Sequence, residues 1–161
     1  MNLAMAPQKR GELQPDQVFD AEEKLYRRVP ANCLSPQGEV VASNIRCEFK
    51  KDVKKSPSVV RSKYGSPTDV LHRDCAGGKD VADHLVFYLV VGELPQRVES
   101  GTKQLYDFYP LHEPDDDCFA HTVIACRKDD GSNDGYHEPT TPVRNKLKAQ
   151  FVAAFIKNRV N

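Results

Sequence analysis

The sequence predicts an α+β domain in which a mixed or antiparallel sheet carries a C-terminal amphipathic helix packed on one face. The predicted elements run in the order strands, one helix, further strands and a final helix, unlike the βαβ alternation of parallel sheets. Residues 142–161 repeat apolar side chains at a spacing of four, which indicates a helix with one buried face. The chain of 161 residues has the size of one domain and can fold without a disulfide or a metal.

Residues 1–17 are predicted to form a mobile N-terminal arm, and residues 18–161 the single α+β domain. The arm carries Pro7, Gly11 and Pro15 among polar residues, a composition typical of fraying termini. An arm of this kind can also fold on a partner.

The first half of the domain is predicted to hold two strands and two helices. Residues 16–24 are acidic and predict a short helix. Residues 25–30 alternate and end on a proline, which indicates a strand. Residues 39–49 alternate more loosely and predict a second strand, followed by a basic loop at 50–58. A helix at 66–78 is predicted from serine, proline and aspartate at its start and two glycines at its end.

The second half is predicted to be a meander of strands. Residues 85–91 form a continuous apolar run, which indicates a central strand covered on both faces. Further strands are predicted at 103–109 and 120–127, and the polar, glycine-containing stretch 128–140 predicts a loop.

The final helix is predicted from its start signal and its apolar stripe. A threonine and a proline at 141–142 suit the first positions of a helix. Val143, Leu147, Phe151 and Phe155 follow at a spacing of four. We expect this stripe to pack across the sheet of the same domain, with Phe151 at the centre of the contact.

Composition and charge exclude several classes of protein. The 23 basic and 23 acidic side chains balance, which argues against a general packaging role on nucleic acid. The longest apolar stretch, 85–91, is too short to span a membrane, and residues 1–11 hold no signal-like run. The five cysteines are odd in number and include no Cys-x-x-Cys pair, so we expect reduced thiols and a cytoplasmic localisation.

Two short His/Cys pairs are the only metal-like feature of the sequence. His72 and Cys75 are three positions apart, as are Cys118 and His121, and zinc prefers four such nitrogen or sulfur ligands. The alternative is two half-buried cysteines beside surface histidines. Neither pair has the form of a standard zinc knuckle, so we predict no metal site.

Histidines beside carboxylates offer acid/base chemistry. His84 and His121 each lie at the start of a predicted strand, next to or near Asp83 and Asp117. Neighbouring strands would bring the two rings to one sheet edge, where they could act as acid and base in phosphodiester chemistry. The alternative is a chance scatter of five histidines among many aspartates.

A basic segment at 46–63 could bind the phosphates of a nucleic acid or a nucleotide. A solvated loop is the alternative meaning of such a run of charge. The stretch 74–79 resembles a phosphate loop in its glycines and lysine, but it lacks the Walker spacing and the following Ser or Thr. We therefore expect no cofactor.

Three short sequence motifs resemble a set of motifs shared by small uncharacterised bacterial proteins. These are an opening Leu-Tyr-Arg-Arg strand at 25–28, a Ser-Val-x-Arg segment at 58–61 and an Ala-His strand start at 120–121. The opening strand also resembles the first strand of ADP-ribosyltransferase-like toxins. The bacterial set has no established activity, so the resemblance implies only a common polar site formed by Arg27, Arg28, Ser58, Arg61 and His121.

We expect a small cytoplasmic binding or interaction module, an accessory component of a larger bacterial system, with another protein as its partner. The alternative is a small enzyme that acts on a phosphate-containing substrate, a nucleotide or RNA. Its catalytic candidates are His121, His84, Arg27 and Arg61, and its ligand-binding candidates are Arg28 and Ser58. One pocket holding Arg27, Arg61 and His121 would favour the enzyme, and their dispersal would favour the module.

Overall fold

The computed structural model describes residues 6–47, 49, 56–101, 103–129 and 141–160, and within them one curled sheet and one α-helix. The elements are β1 (Lys24–Val29), β2 (Ser58–Arg61), β3 (Leu85–Val90), β4 (Val98–Glu99), β5 (Leu105–His112), β6 (His121–Lys128) and α1 (Thr141–Ile156). The sheet order is β3-β1-β2-β6-β5-β4. Every pairing is antiparallel, which confirms the predicted α+β class.

Helix α1 packs on one face of the sheet through the predicted stripe. Leu147, Phe151 and Phe155 are fully buried. The ring of Phe151 lies 5.4 Å from that of Phe49 and 5.9 Å from that of Phe108, measured between centroids. The prediction that this helix docks on its own domain, with Phe151 in the contact, is confirmed.

The opposite face of the sheet is covered by two short 3-10 helices, Asp69–Leu71 and Arg73–Ala76. Here the structure corrects the expectation of reduced thiols, because Cys75 and Cys118 form a disulfide with sulfurs 2.07 Å apart. The bond ties this layer to the turn before β6. The other three cysteines carry buried thiols.

The central placement of the apolar strand is wrong. Strand β3 lies at one edge of the described sheet, with β4 at the other. The side of β3 that faces away from β1 pairs with the chain after α1: the amide of Tyr88 donates to the carbonyl of Asn158, and that of Val160 donates to the carbonyl of Val86. Both faces of β3 are covered, one by α1 and one by the 3-10 layer, which explains its continuous apolar run.

Three further predictions are corrected in the first half of the chain. Residues 16–24 form no helix. The stretch 39–49 holds the 3-10 helix Ala42–Asn44 in place of the predicted strand. The predicted helix at 66–78 is broken into the two 3-10 helices, although Gly77 ends the second one with a φ of 62°. Strand β2 begins at the residue where the predicted basic loop ends, and most of the predicted loop at 128–140 lies outside the described residues.

The described part of the predicted arm lies against the sheet. Phe119 donates to the carbonyl of Gln8 at 2.7 Å. The Gln17 side chain bonds both the amide and the carbonyl of His112. Mobility of residues 1–17 stays a prediction. Within the described ranges, no helix has the length and apolar character needed to cross a membrane.

Candidate functional site

A concave pocket lies at the side of the sheet where β1 ends and where β2 and β3 begin. These ends meet because β1 runs antiparallel to both neighbours. The cavity has a volume of about 780 Å³. Its lining residues are Arg27, Arg28, Pro30, Asn32, Cys33, Asn44, Ile45, Arg46, Ser58, Lys79, Val81 and His84. Three arginines and a lysine are among them, and none of the described lining residues is acidic.

Arg27 projects from the helix-covered face of β1 and is held by fixed partners. Its guanidinium donates to the carbonyl of Ser58 at 2.8 Å and to that of Arg46 at 3.2 Å, and it lies 5.7 Å from the ring centre of Phe155. Burial lowers the pKa of Arg27, because desolvation disfavours the charged form. Its Nε is buried without a hydrogen-bond partner among the described residues.

Arg28 projects from the other face of β1 and reaches the same pocket. It donates to the carbonyl of Cys75 at 3.2 Å. Burial lowers the pKa of Arg28, and the positive charge of Arg27 adds to this effect. The two guanidinium groups therefore repel each other, and an anion bound between them would relieve that repulsion. Arg46 and Lys79 are exposed and add positive charge to the lining.

His84 is the one histidine among the described lining residues. Its side chain is 19% exposed, with Nε2 4.0 Å from a carboxylate oxygen of Asp83. Its Nδ1 is buried and has no hydrogen-bond partner in the described part of the chain. The predicted meeting of His84 and His121 stays a prediction, because the contacts described for His121 are with Ser58, Glu113 and Asp115.

Ser58 connects the pocket to His121. The Oγ of Ser58 lies 3.1 Å from Nε2 of His121. On the other side of the ring, Nδ1 lies 2.6 Å from the carbonyl oxygen of Glu113 and 3.7 Å from a carboxylate oxygen of Asp115. A serine, a histidine and an oxygen acceptor therefore stand in a line that begins at the pocket wall.

Arg61 does not belong to the pocket. Its side chain is completely buried, and its Nε donates to Glu23 at 2.7 Å. It also donates to the backbone carbonyls of Asp16 and Val18, and its guanidinium lies 3.9 Å from the ring centre of Phe19. Arg61 is a structural residue that holds the N-terminal segment. Of the five residues singled out by the sequence motifs, Arg27, Arg28 and Ser58 line the pocket. His121 contacts it only through Ser58, and Arg61 lies elsewhere.

The four weak metal candidates are not arranged as ligands. Cys75 and Cys118 share a disulfide, and a metal ligand would have to be a thiolate. His72 accepts a hydrogen bond from the amide of Asp74, and His121 bonds Ser58. No group of three His, Cys, Asp or Glu residues suited to a metal ion occurs in the ranges that the structure covers.

The basic segment at 46–63 is only partly described, because residues 48 and 50–55 lie outside the described ranges. Two of its described residues, Arg46 and Ser58, line the pocket. Sequence reasoning missed Lys79, which it treated only as part of an incomplete phosphate loop. It also missed Asn32 and Asn44, because their loops reach the pocket only through tertiary folding. No signal in the sequence distinguishes these asparagines.

Comparisons of the chain with protein-family models, with curated proteins and with solved structures found no match. The likeness of its short sequence motifs to those of small bacterial proteins therefore stays a resemblance.

Proposed function

We propose that this protein is a binding module whose pocket holds a phosphate-bearing small molecule. The observation that carries the proposal is the lining of the pocket, where Arg27, Arg28, Arg46 and Lys79 occur with no carboxylate among the described lining residues. Arginine forks match phosphate oxygens in pairs, and charge-assisted hydrogen bonds of this kind are stronger than neutral ones.

The dimensions of the pocket favour a nucleotide-sized ligand. A cavity of about 780 Å³ falls within the range of roughly 300–1,000 Å³ that is typical of small-molecule sites. Asn32 and Asn44 supply amide donors and acceptors, and Ile45 and Val81 supply apolar surface. A phosphate group could lie between the arginines while a base or sugar contacts these side chains.

The basic segment at 46–63 extends the proposed ligands from a nucleotide to single-stranded RNA. Because Arg46 and Ser58 are both part of the pocket, a single-stranded RNA could place one phosphate there, and the positive charge of the sequence at 46–63 would favour its backbone. In a bacterial system of several components, such a module would act as an accessory subunit that presents the ligand to another protein.

The compartment can be tested through the cysteines. The sequence predicts the cytoplasm, whereas a disulfide such as Cys75–Cys118 is typical of oxidising compartments. Alkylation of denatured protein taken directly from cells distinguishes the two. Five modified cysteines would support the cytoplasm, and three would support an oxidising compartment.

Isothermal titration with ATP, inorganic phosphate and a short single-stranded RNA tests the proposed function. The double variant Arg46→Ala/Lys79→Ala removes two exposed charges of the lining. Its matched control, Arg127→Ala/Lys157→Ala, removes two exposed charges that do not line the pocket. We expect the pocket variant to bind at least about tenfold more weakly, roughly 1.4 kcal/mol, and the control to bind like the wild type. Equal loss in both variants, or no binding by the wild type, would contradict the proposal.

A further inference from the structure

We infer that Ser58 is a nucleophile activated by His121, and that the pocket transfers a phosphoryl group from its bound ligand to Ser58. The inference rests on the proposed function, because it takes the phosphate-bearing molecule in the pocket as the substrate. It adds a covalent step that binding alone does not require.

The hydrogen bonds of His121 determine which ring nitrogen carries the proton. The carbonyl oxygen of Glu113, 2.6 Å from Nδ1, can only accept, so Nδ1 of the neutral ring must be the donor. The opposite nitrogen, Nε2, then has a free lone pair. It can accept the hydroxyl proton of Ser58, whose Oγ lies 3.1 Å away. This is the tautomer that a general base needs when it takes a proton from serine.

The sheet fixes the relative position of the two side chains. Ser58 pairs with Val123 and Val60 pairs with His121 in the β2–β6 register. Ser58 and His121 are therefore diagonal neighbours on one face of two adjacent strands. Because both residues belong to regular strands, their distance does not depend on a flexible loop, and the nucleophile and base are held in place before a substrate binds.

The charge that forms on His121 has a partner. Asp115 Oδ2 lies 3.7 Å from Nδ1 and is 58% exposed, so this carboxylate can stabilise the imidazolium that appears after proton transfer. Arg28 and Arg27 line the same pocket as Ser58 and can stabilise the charge of the phosphoryl oxygens. The line Ser58–His121–Glu113 thus has the three roles of a nucleophile, a base and a group that orients the base.

The proposed reaction balances without a metal or a redox cofactor. The Oγ of Ser58 attacks phosphorus, its proton passes to Nε2 of His121, and the bond from phosphorus to the leaving oxygen breaks with its electron pair. The imidazolium returns the proton to that oxygen. Water then attacks the phosphoserine while Nε2 takes its proton, the Oγ–phosphorus bond breaks, and Oγ recovers a proton from the ring. The net change is hydrolysis of a phosphate ester.

Labelling with diisopropyl fluorophosphate tests the inference on the intact wild-type chain. This neutral probe phosphorylates activated serines, so its reaction does not depend on charge in the pocket. We expect one adduct per chain, located on Ser58 by peptide mass mapping. Ser58→Ala should abolish labelling, and His121→Gln should slow it at least about 100-fold, the lower end of general-base contributions.

One control variant and one binding measurement separate this inference from the proposed function. Ser43→Ala removes an exposed serine and should label like the wild type. Isothermal titration of the wild type with ATP measures nucleotide binding independently of labelling. If the wild type binds nucleotide but Ser58 is not labelled, or if His121→Gln labels at the wild-type rate, the nucleophile is overturned and the binding function stands. If Ser58 is labelled but no phosphate-bearing ligand binds, the phosphoryl-transfer inference falls together with the proposed function.

Discussion

The buried ion pair between Arg61 and Glu23 provides a direct test of the fold, because the charge of Arg61 is completely buried and its hydrogen bonds are defined. The Nε and one terminal nitrogen of Arg61 bond the two carboxylate oxygens of Glu23 at 2.7 and 3.0 Å, and the exposed fractions of the two side chains are 0% and 5%. Replacing Arg61 with Met keeps most of the volume of the side chain but removes the guanidinium. Among the described residues, Glu23 would then retain one backbone donor, the amide of Lys63 at 3.3 Å.

The expected cost follows from this count of partners. Removing one member of a buried ion pair destabilises by about 3–5 kcal/mol, because the other charge is left without compensation. A domain has a free energy of unfolding of only about 5–15 kcal/mol, so Arg61→Met should remove a large share of it. With a denaturant slope of about 2 kcal/mol/M, the midpoint of urea unfolding should fall by about 2 M.

Urea unfolding of a matched set of variants measures this cost. The control Arg127→Met truncates an exposed arginine and should change the free energy of unfolding by no more than about 0.5 kcal/mol. In a Glu23→Gln background, Arg61→Met should cost less than in the wild type, because the buried carboxylate charge is already gone. If Arg61→Met costs no more than the exposed control, the buried pair does not stabilise the fold as argued.

Three further outcomes are expected from the packing. Phe151→Ala should lower the free energy of unfolding by about 3–5 kcal/mol in urea titration, because the ring of this helix residue is fully buried against the sheet. An unchanged midpoint of unfolding would refute that packing. Reduction of Cys75–Cys118 should lower it by about 2–4 kcal/mol, because the bond joins residues 43 positions apart; unfolding curves with and without reductant measure this. Burial lowers the pKa of His112, so the folded chain binds its proton less tightly than the unfolded chain, and stability should fall as pH drops through about 6.5. His112→Gln should flatten that pH profile, and an unchanged slope would argue against the buried neutral ring.

Local periodicity explains which elements the sequence could predict. The stripe of α1 repeats within one continuous segment, so its buried face is visible without knowledge of the fold. Strand β3 shows the limit of such patterns. Its apolar run reports that both faces are covered, but it carries no information about lateral neighbours. The two faces of β3 are covered by α1 and by the 3-10 layer, whereas its lateral partner is the segment 158–160. Only the tertiary fold determines this lateral pairing.

Long-range partners explain what the sequence missed in the site. Cys75 and Cys118 are separated by 43 positions, and an odd number of cysteines gave no reason to pair them. The short motif Ser-Val-Val-Arg at 58–61 begins with a serine of the pocket wall, Ser58, and ends with a structural arginine, Arg61. Strand geometry separates these roles: the side chain of Ser58 faces His121 at one end of β2, whereas that of Arg61 turns to Glu23 at the other end.

Position along the strand, more than residue type, therefore decides which polar side chains are available for chemistry. Arg61 has the same guanidinium as Arg27 and Arg28, but the carboxylate of Glu23 and two backbone carbonyls take up four of its five donors, so it has little capacity left for a ligand. The two arginines of β1 bond only backbone carbonyls among their described hydrogen-bond partners, so their positive charge is not neutralised there. A charge that is desolvated and not neutralised favours an incoming anion. Electrostatics thus separates three otherwise similar arginines into one that stabilises the fold and two that are suited to bind a ligand beside Ser58.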